Sequence, residues 1–452
     1  MTLLDDDTRT GAHPATPTAA TGAATRGTLF RFATAGSVDD GKSTLVGRLL
    51  HDSKAILSDH LAAVERTSRE RGFGGEAGGL DLALLTDGLR AEREQGITID
   101  VAYRYFATDA RSFILADCPG HVQYTRNMVT GATTADAVVL LVDARNGVLE
   151  QSRRHLAVIS LLRVPHVIVA INKIDLISFN ADRVRQVTEE LVAVTTELGI
   201  ADLHVIPVCA VDGDNVAERS ARTPWYDGPA LLELLEALPS ADRLEAATDP
   251  LRLPVQLVLR PQGALAPGLD ATEYRDYRSA AGRIASGAVH VGDRVSVHPG
   301  GATSVVTRID VAGRNVDSAV APQSVAVSLA DDLDLARGAL LGAAGTLPEP
   351  RSAITAEVFW LDPSRGVAGA RLLLKWGTAT VQARLTAIEG RRDLTSLRVV
   401  AAEALEVNDI GHVALQLAEA LPVEPYAANR ETGAFLLIDP QSGATLAAGI
   451  VS

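Results

Sequence analysis

The sequence predicts an α/β domain built on a doubly wound, mostly parallel sheet, followed by two small antiparallel β-barrels. Three observations predict it. From residue 28 to about 245, apolar β-branched runs alternate with helical patterns, as in a sheet covered by helices on both faces. One strand-to-helix transition there carries a complete Gly-x-x-x-x-Gly-Lys-Ser loop, Gly36-Ser37-Val38-Asp39-Asp40-Gly41-Lys42-Ser43. Beyond Pro250, helical periodicity fades and short alternating runs separated by Gly, Asp and Asn take over.

Taken in order, residues 1–27 are rich in Ala, Thr and Gly and lack the basic and apolar regions of a secretory signal, so a disordered extension is expected. Strands are expected at 29–35, 98–106, 112–117, 137–143, 165–171 and 203–208. Ala137–Val142 and Val167–Ile171 are continuous apolar runs, the signature of central strands. A long insertion, His51–Glu94, separates the loop's helix from the second strand, and its five glycines between Gly72 and Gly79 predict mobility. Trp225–Pro229 opens a last helix around Ala230–Leu238. The expected divisions are a nucleotide-binding domain at 28–246, a first barrel at 247–347 and a second at 348–452, parted by Leu347-Pro348-Glu349-Pro350. Their strands include Leu253–Leu257, Arg294–Val297, Val325–Leu329, Ile354–Trp360, Leu372–Trp376 and Phe435–Ile438.

Composition narrows the function classes. The 452 residues are 47% hydrophobic and 22% charged, an ordinary globular balance. A formal charge of −14 argues against nonspecific binding to nucleic acid or an anionic membrane, and no window has the apolar run of a membrane span. Cys118 and Cys209 form no disulfide framework or metal cluster, which fits a reduced cytoplasm. Lysine occurs only at positions 42, 54, 173 and 375, and two of these sit inside nucleotide-binding motifs.

The chemistry follows from those motifs. Glycines let the loop curl its N–H groups inward at phosphate oxygens, and the next helix adds its positive end. Lys42 can reach the β- and γ-phosphates, and Ser43, with Thr44 behind it, is placed to ligate Mg²⁺. Asp117-Cys118-Pro119-Gly120-His121 follows a strand; Asp117 can hold Mg²⁺ through a water, the Gly120 N–H can sense a γ-phosphate, and His121 can position an attacking water. Asn172-Lys173-Ile174-Asp175 follows another strand. The Asp175 carboxylate can accept from guanine N1–H and N2, donors that adenine lacks, which selects GTP. Asn172 and the Lys173 stem support the base, and a backbone N–H of Cys209-Ala210 can meet guanine O6. Thr98, in Gly96-Ile97-Thr98-Ile99, can complete the Mg²⁺ shell while the γ-phosphate is present. Asp39 is a candidate ligand for a monovalent cation and joins Lys42, Thr98 and His121 as a catalytic candidate.

In this order the motifs mark a GTPase, and the Gly-Ile-Thr-Ile and Asp-Cys-Pro-Gly-His forms resemble the translation-factor superfamily. Leu80–Gly96, Gln123–Met128, Gln151-Ser152-Arg153-Arg154-His155 and the closing Asn429-Arg430-x-Thr432-Gly433 narrow this further. They resemble the large GTPase subunit of bacterial assimilatory sulfate adenylyltransferase, from about residue 28 to the C-terminus. The resemblance implies GTP hydrolysis that drives a small partner subunit of the ATP-pyrophosphatase type, in a heteromer, to make adenosine 5′-phosphosulfate and pyrophosphate from ATP and sulfate. It implies no membrane or nucleic-acid partner. No Ser-Gly-Gly-x-Asp-Ser loop is present, so ATP chemistry is expected on the partner; no second phosphate loop follows residue 350, so no adenylylsulfate kinase domain is expected. The chain departs from the family at Cys209-Ala210-Val211, where relatives usually carry Ser-Ala-Leu, and in a longer Gly263–Thr272 segment. The alternative is a translation-factor-like GTPase delivering an RNA ligand.

Overall fold

A computed structural model describes residues 29–53, 82, 101–119, 125–240, 249–261, 272, 277–393 and 398–452. The N-terminal extension, most of the 51–94 insertion, Thr98, Gly120 and His121 lie outside the described residues, as does most of the Gly263–Thr272 segment.

The first unit is a six-stranded sheet flanked by helices. Its strands are β1 (Leu29–Gly36), β2 (Ala102–Ala107), β3 (Ser112–Asp117), β4 (Ala137–Asp143), β5 (His166–Asn172) and β6 (Leu203–Pro207). Its helices are α1 (Lys42–Asp52), α2 (Thr125–Ala132), α3 (Glu150–Leu161), α4 (Ala181–Glu197) and α5 (Leu231–Ala237). The spatial order is β2-β3-β1-β4-β5-β6, parallel throughout except for antiparallel β2 at the edge. The described part of the second strand begins at Ala102, and Val101 is outside it.

Two cores explain the double winding. Along β4, Val138, Leu140 and Val142 face a core shared with α2, α3 and α4, while Ala137, Val139 and Leu141 face one shared with α1 and α5. All seven β4 residues are buried. A strand apolar on both faces is stable only when helices cover both, and the alternation sends every second side chain to each. Phe30, Phe32, Phe106 and Phe113 cluster edge-to-face and stacked in the second core.

Behind it stand two antiparallel β-units, with strands between Arg252 and Ala343 and between Arg351 and Val451. The expected continuous run Leu253–Leu257 is two strands, Arg252–Pro254 and Leu257–Leu259. The first pairs Leu340–Ala343 and the second pairs Ser279–Arg283, so the break lets one chain segment close the barrel from both sides. Val255 N–H bonds the Ala339 carbonyl and Gln256 N–H the Ala281 carbonyl at the crossover. The second unit closes where Arg371–Trp376 pairs both Ala434–Ile438 and Ala379–Arg392.

The Asn429–Gly433 motif holds the units together. Asn429 Nδ2 donates to Ser286 Oγ at 3.0 Å, and its Oδ1 accepts from the Thr432 N–H. Arg252, almost fully buried, donates from Nε and an Nη to the Glu424 carboxylate at 3.0 and 2.8 Å. Tyr426 Oη donates to the Leu162 carbonyl at the end of α3, 2.8 Å away. A Cβ at position 433 would lie 2.4 Å from Tyr426 Cα, so only glycine lets the two segments approach this closely.

Candidate nucleotide site

The loop between β1 and α1 is held by its own side chains. Asp40 Oδ2 accepts from the Ser37 N–H at 2.7 Å. Lys42 Nζ donates to the Gly36 and Ser37 carbonyls, both at 3.0 Å, so the ammonium sits inside the curl. Burial lowers the Lys42 pKa, opposed by the nearby Asp117 and Asp40 carboxylates. Burial raises that of Asp40, opposed by the Ser37 N–H. Gly41 adopts φ 91° at the N-cap of α1, and a Cβ there would meet Asn172 Nδ2 at 2.5 Å. Ser37 Oγ is buried without a hydrogen-bond partner. Val38 and Asp39 are exposed at the loop tip, and Ser43 and Thr44 are half-buried in the first turn.

Asp117 ends β3 opposite Thr34, whose Oγ1 donates to Asp117 Oδ1 at 2.8 Å. The aspartate is buried beside Lys42. Cys118 turns the other way: a Cβ on Gly131 of α2 would lie 2.4 Å from its Sγ. Burial pushes that thiol up, so Cys118 is a core residue, and Pro119 beside it is buried too.

Asn172 joins the motifs. Its Nδ2 donates to the Asp40 carbonyl at 2.8 Å and its Oδ1 accepts from the Ala210 N–H at 3.0 Å. The asparagine, expected to support the base, is buried as the clamp between two loops. Of the two N–H groups expected near guanine O6, that of Ala210 donates to this clamp and that of Cys209 to the Asp214 carbonyl at 3.2 Å. Asp175 stands half-exposed at the start of the turn Ile174–Ile177, and Ile174 is buried beneath it. Its Oδ1 accepts from the Cys209 thiol at 3.3 Å. Burial, with the Asp175 contact, pushes the Cys209 pKa up to about 12, against the pull of a backbone bond at Asp212. Cys209 is therefore a neutral donor here.

Asp143, Arg145 and Arg48 escaped sequence reasoning. Lys173 Nζ donates to the Asp39 carbonyl and lies 3.2 Å from Asp143 Oδ2, at the end of β4. Arg145 grips the same carboxylate, Nε to Oδ1 at 3.0 Å and an Nη to Oδ2 at 2.6 Å. Arg48 of α1 donates to the Ala210 and Val211 carbonyls. A signal existed for Asp143: a carboxylate closing a fully apolar strand at the carboxyl edge of a parallel sheet, where such folds bind ligands.

Residues 28–241 match the elongation factor Tu GTP binding domain family, and residues 353–452 the GTP-eEF1A C-terminal domain-like family. The protein named sulfate adenylyltransferase subunit 1 of Teredinibacter turnerae is 44% identical over 422 residues, 93% of this chain and 87% of that one. The chain belongs to the sulfate adenylyltransferase subunit 1 family. The Methylorubrum extorquens (strain PA1) protein of that name is 46% identical over 423 residues, again 87% of its length. The bifunctional enzyme CysN/CysC of Mycobacterium tuberculosis (strain ATCC 25618 / H37Rv) is 47% identical over 426 residues, and the match spans 67% of that longer protein. Within this subunit 1 family member, the first unit is a GTP-binding domain. None of its described helices is long and apolar enough to cross a membrane.

Proposed function

We propose that the chain is the GTP-hydrolysing subunit of a heteromeric sulfate adenylyltransferase acting in sulfate assimilation. In this reading a small partner subunit of the ATP-pyrophosphatase type joins ATP and sulfate into adenosine 5′-phosphosulfate and pyrophosphate. Adenylylation of sulfate is uphill, and hydrolysis of GTP to GDP and phosphate on this chain drives it. The observation that carries the reading is the Asn172 clamp, which brings the phosphate loop and the Ala210 loop together beside Asp175.

The residues divide the work by position. The loop N–H groups from Val38 to Lys42 cradle the phosphates, with the Lys42 ammonium toward the β- and γ-oxygens. Asp175 accepts from guanine N1–H and N2, and the Ala210 N–H shares its proton between Asn172 and O6. The buried open hydroxyl of Ser37 and the inward carboxylate of Asp117 fit a Mg²⁺–nucleotide, with Ser43, Thr98 and, through a water, Asp117 as the residues to hold the ion. Bound Mg²⁺ would neutralise charge on the β- and γ-phosphates. His121 orients the attacking water, Gly120 reports the γ-phosphate, and Asp39 is the candidate for a monovalent cation. The location proposed is the cytoplasm, where both cysteines, free and buried, would stay reduced.

The test is pyrophosphate release from ATP and sulfate by this chain plus the small adenylyltransferase subunit from the same source. Release needing both proteins and rising with GTP supports the reading. GTP hydrolysis indifferent to partner, ATP and sulfate would overturn the coupling.

A further inference from the structure

We propose that Asp143 is a positioning residue for the guanine nucleotide, holding the Lys173 ammonium so that its stem is fixed beside the base pocket. The inference rests on the guanine-nucleotide reading of this site. β4 is buried along its whole length and ends at Asp143. Asp143 pairs in parallel register with Asn172, the residue before Lys173, so β4 delivers a carboxylate beside the motif that reads the base.

The carboxylate is built to face one way. Its side chain is 2% exposed, and both oxygens are used: Oδ1 takes the Arg145 N–H and Nε, and Oδ2 takes an Arg145 Nη and faces Lys173 Nζ at 3.2 Å. The Arg145 loop is itself fixed, because Arg183 of α4 donates to the Ala144 and Arg145 carbonyls, both at 2.9 Å. Lys173 needs such a partner. It holds φ 61°, a left-handed conformation that costs a non-glycine residue free energy, and a flexible four-carbon stem leads to its ammonium. The ammonium bridges Asp143 and the Asp39 carbonyl, which ties the base side of the pocket to the tip of the phosphate loop. A neutral residue at 143 could not hold both cations, and charge-assisted hydrogen bonds are the stronger kind.

The contact joins Lys173, in the motif proposed to read the base, to the end of β4. Its loss should therefore weaken GTP and GDP alike. Asp143→Asn, close in shape, is expected to raise the Kd of both nucleotides about 10-fold, the scale of one charge-assisted bond. In a Lys173→Met background the same substitution should have almost no further effect.

A second readout needs no nucleotide. Because the chain has only four lysines, amine acetylation followed by peptide mass spectrometry reads each one separately. Lys173 should label more slowly than the exposed Lys375, and Asp143→Asn should speed Lys173 alone. In the parent chain, Lys173 labelling as fast as Lys375 would overturn the proposal whether or not the variant folds. So would unchanged affinities in a folded Asp143→Asn protein, or an equal loss with and without Lys173. If the parent chain fails to prefer GTP over ATP, the guanine reading fails instead, and the labelling result still judges the clamp.

Discussion

Asn172 Nδ2 donates to the main-chain carbonyl of Asp40 at 2.8 Å, across 132 residues of sequence. One buried amide thereby sets the spacing between the phosphate loop and the base-reading turn. The parallel strands β1, β4 and β5 deliver both ends of this bond to the same edge of the sheet.

Replacing Asn172 with alanine would strand the Asp40 carbonyl and the Ala210 N–H together. An unpaired buried group costs about 1–3 kcal/mol. Asn172→Ala should lower the denaturant midpoint and weaken GTP and GDP alike, as urea titration and equilibrium binding would record. A stable variant with parental affinities would contradict the clamp.

Asp175→Asn reverses the donor and acceptor pattern offered to the base. Preference should move from GTP toward xanthosine triphosphate, whose C2 oxygen accepts where the guanine amino group donates. Competition binding of the two nucleotides checks this, and unchanged guanine selectivity would remove Asp175 from the role.

His121→Ala should keep nucleotide binding and slow hydrolysis about 10²-fold or more if the imidazole orients the attacking water. Single-turnover GTP hydrolysis with a parallel Kd measurement separates the two. A parental rate would assign the water to another group.

Acid stability should depend on Asp143. Burial would raise its pKa, but the Arg145 and Lys173 hydrogen bonds hold it down to about 2. A carboxyl whose folded pKa is depressed stabilises above its unfolded value and loses that contribution as pH falls through the folded one. The gap in melting temperature between the parent and Asp143→Asn should be full near pH 6 and shrink between about pH 4 and pH 2. A constant gap would mean that the carboxylate charge does not stabilise the fold.

Tyr426→Phe removes the hydroxyl that reaches the end of α3 from the far barrel. The cost to stability should be about 1 kcal/mol, the net worth of an ordinary hydrogen bond. If this link carries the state of the GTP-binding domain to the barrels, GTP hydrolysis should persist while its stimulation of the partner falls. Measuring both activities on one preparation decides it; equal stimulation by parent and variant would make the bond purely structural.

The readable parts of the chain were those whose signal lies within a few residues. The strands β1, β3, β4 and β5 fell close to their expected bounds because an apolar run closed by Gly36, Asp117, Asp143 or Asn172 declares itself locally. The Leu253–Leu257 run misled because its alternation is continuous while its pairing is not: Pro254 faces Leu340, and Leu257 faces Ala281. Cys118 stood in a nucleotide motif, yet its thiol packs on Gly131 of α2, a contact that motif spacing does not report.

Residue order alone therefore carried the fold class, the turn of the phosphate loop and the family resemblance, and it nominated Asp175 for the base. Each of these rests on short-range geometry: a glycine that permits a turn, a period of two or 3.6, a carboxylate one step beyond a strand. Folding added the second job of each residue. Asn172 became a clamp, Lys173 a strut between Asp39 and Asp143, Cys209 a donor to Asp175, and the Asn429–Gly433 turn a joint between units. Those partners lie far apart in the chain and meet only through strand register and barrel closure. Long-range pairing of that kind is selected by the packing of the whole core, which no local propensity encodes.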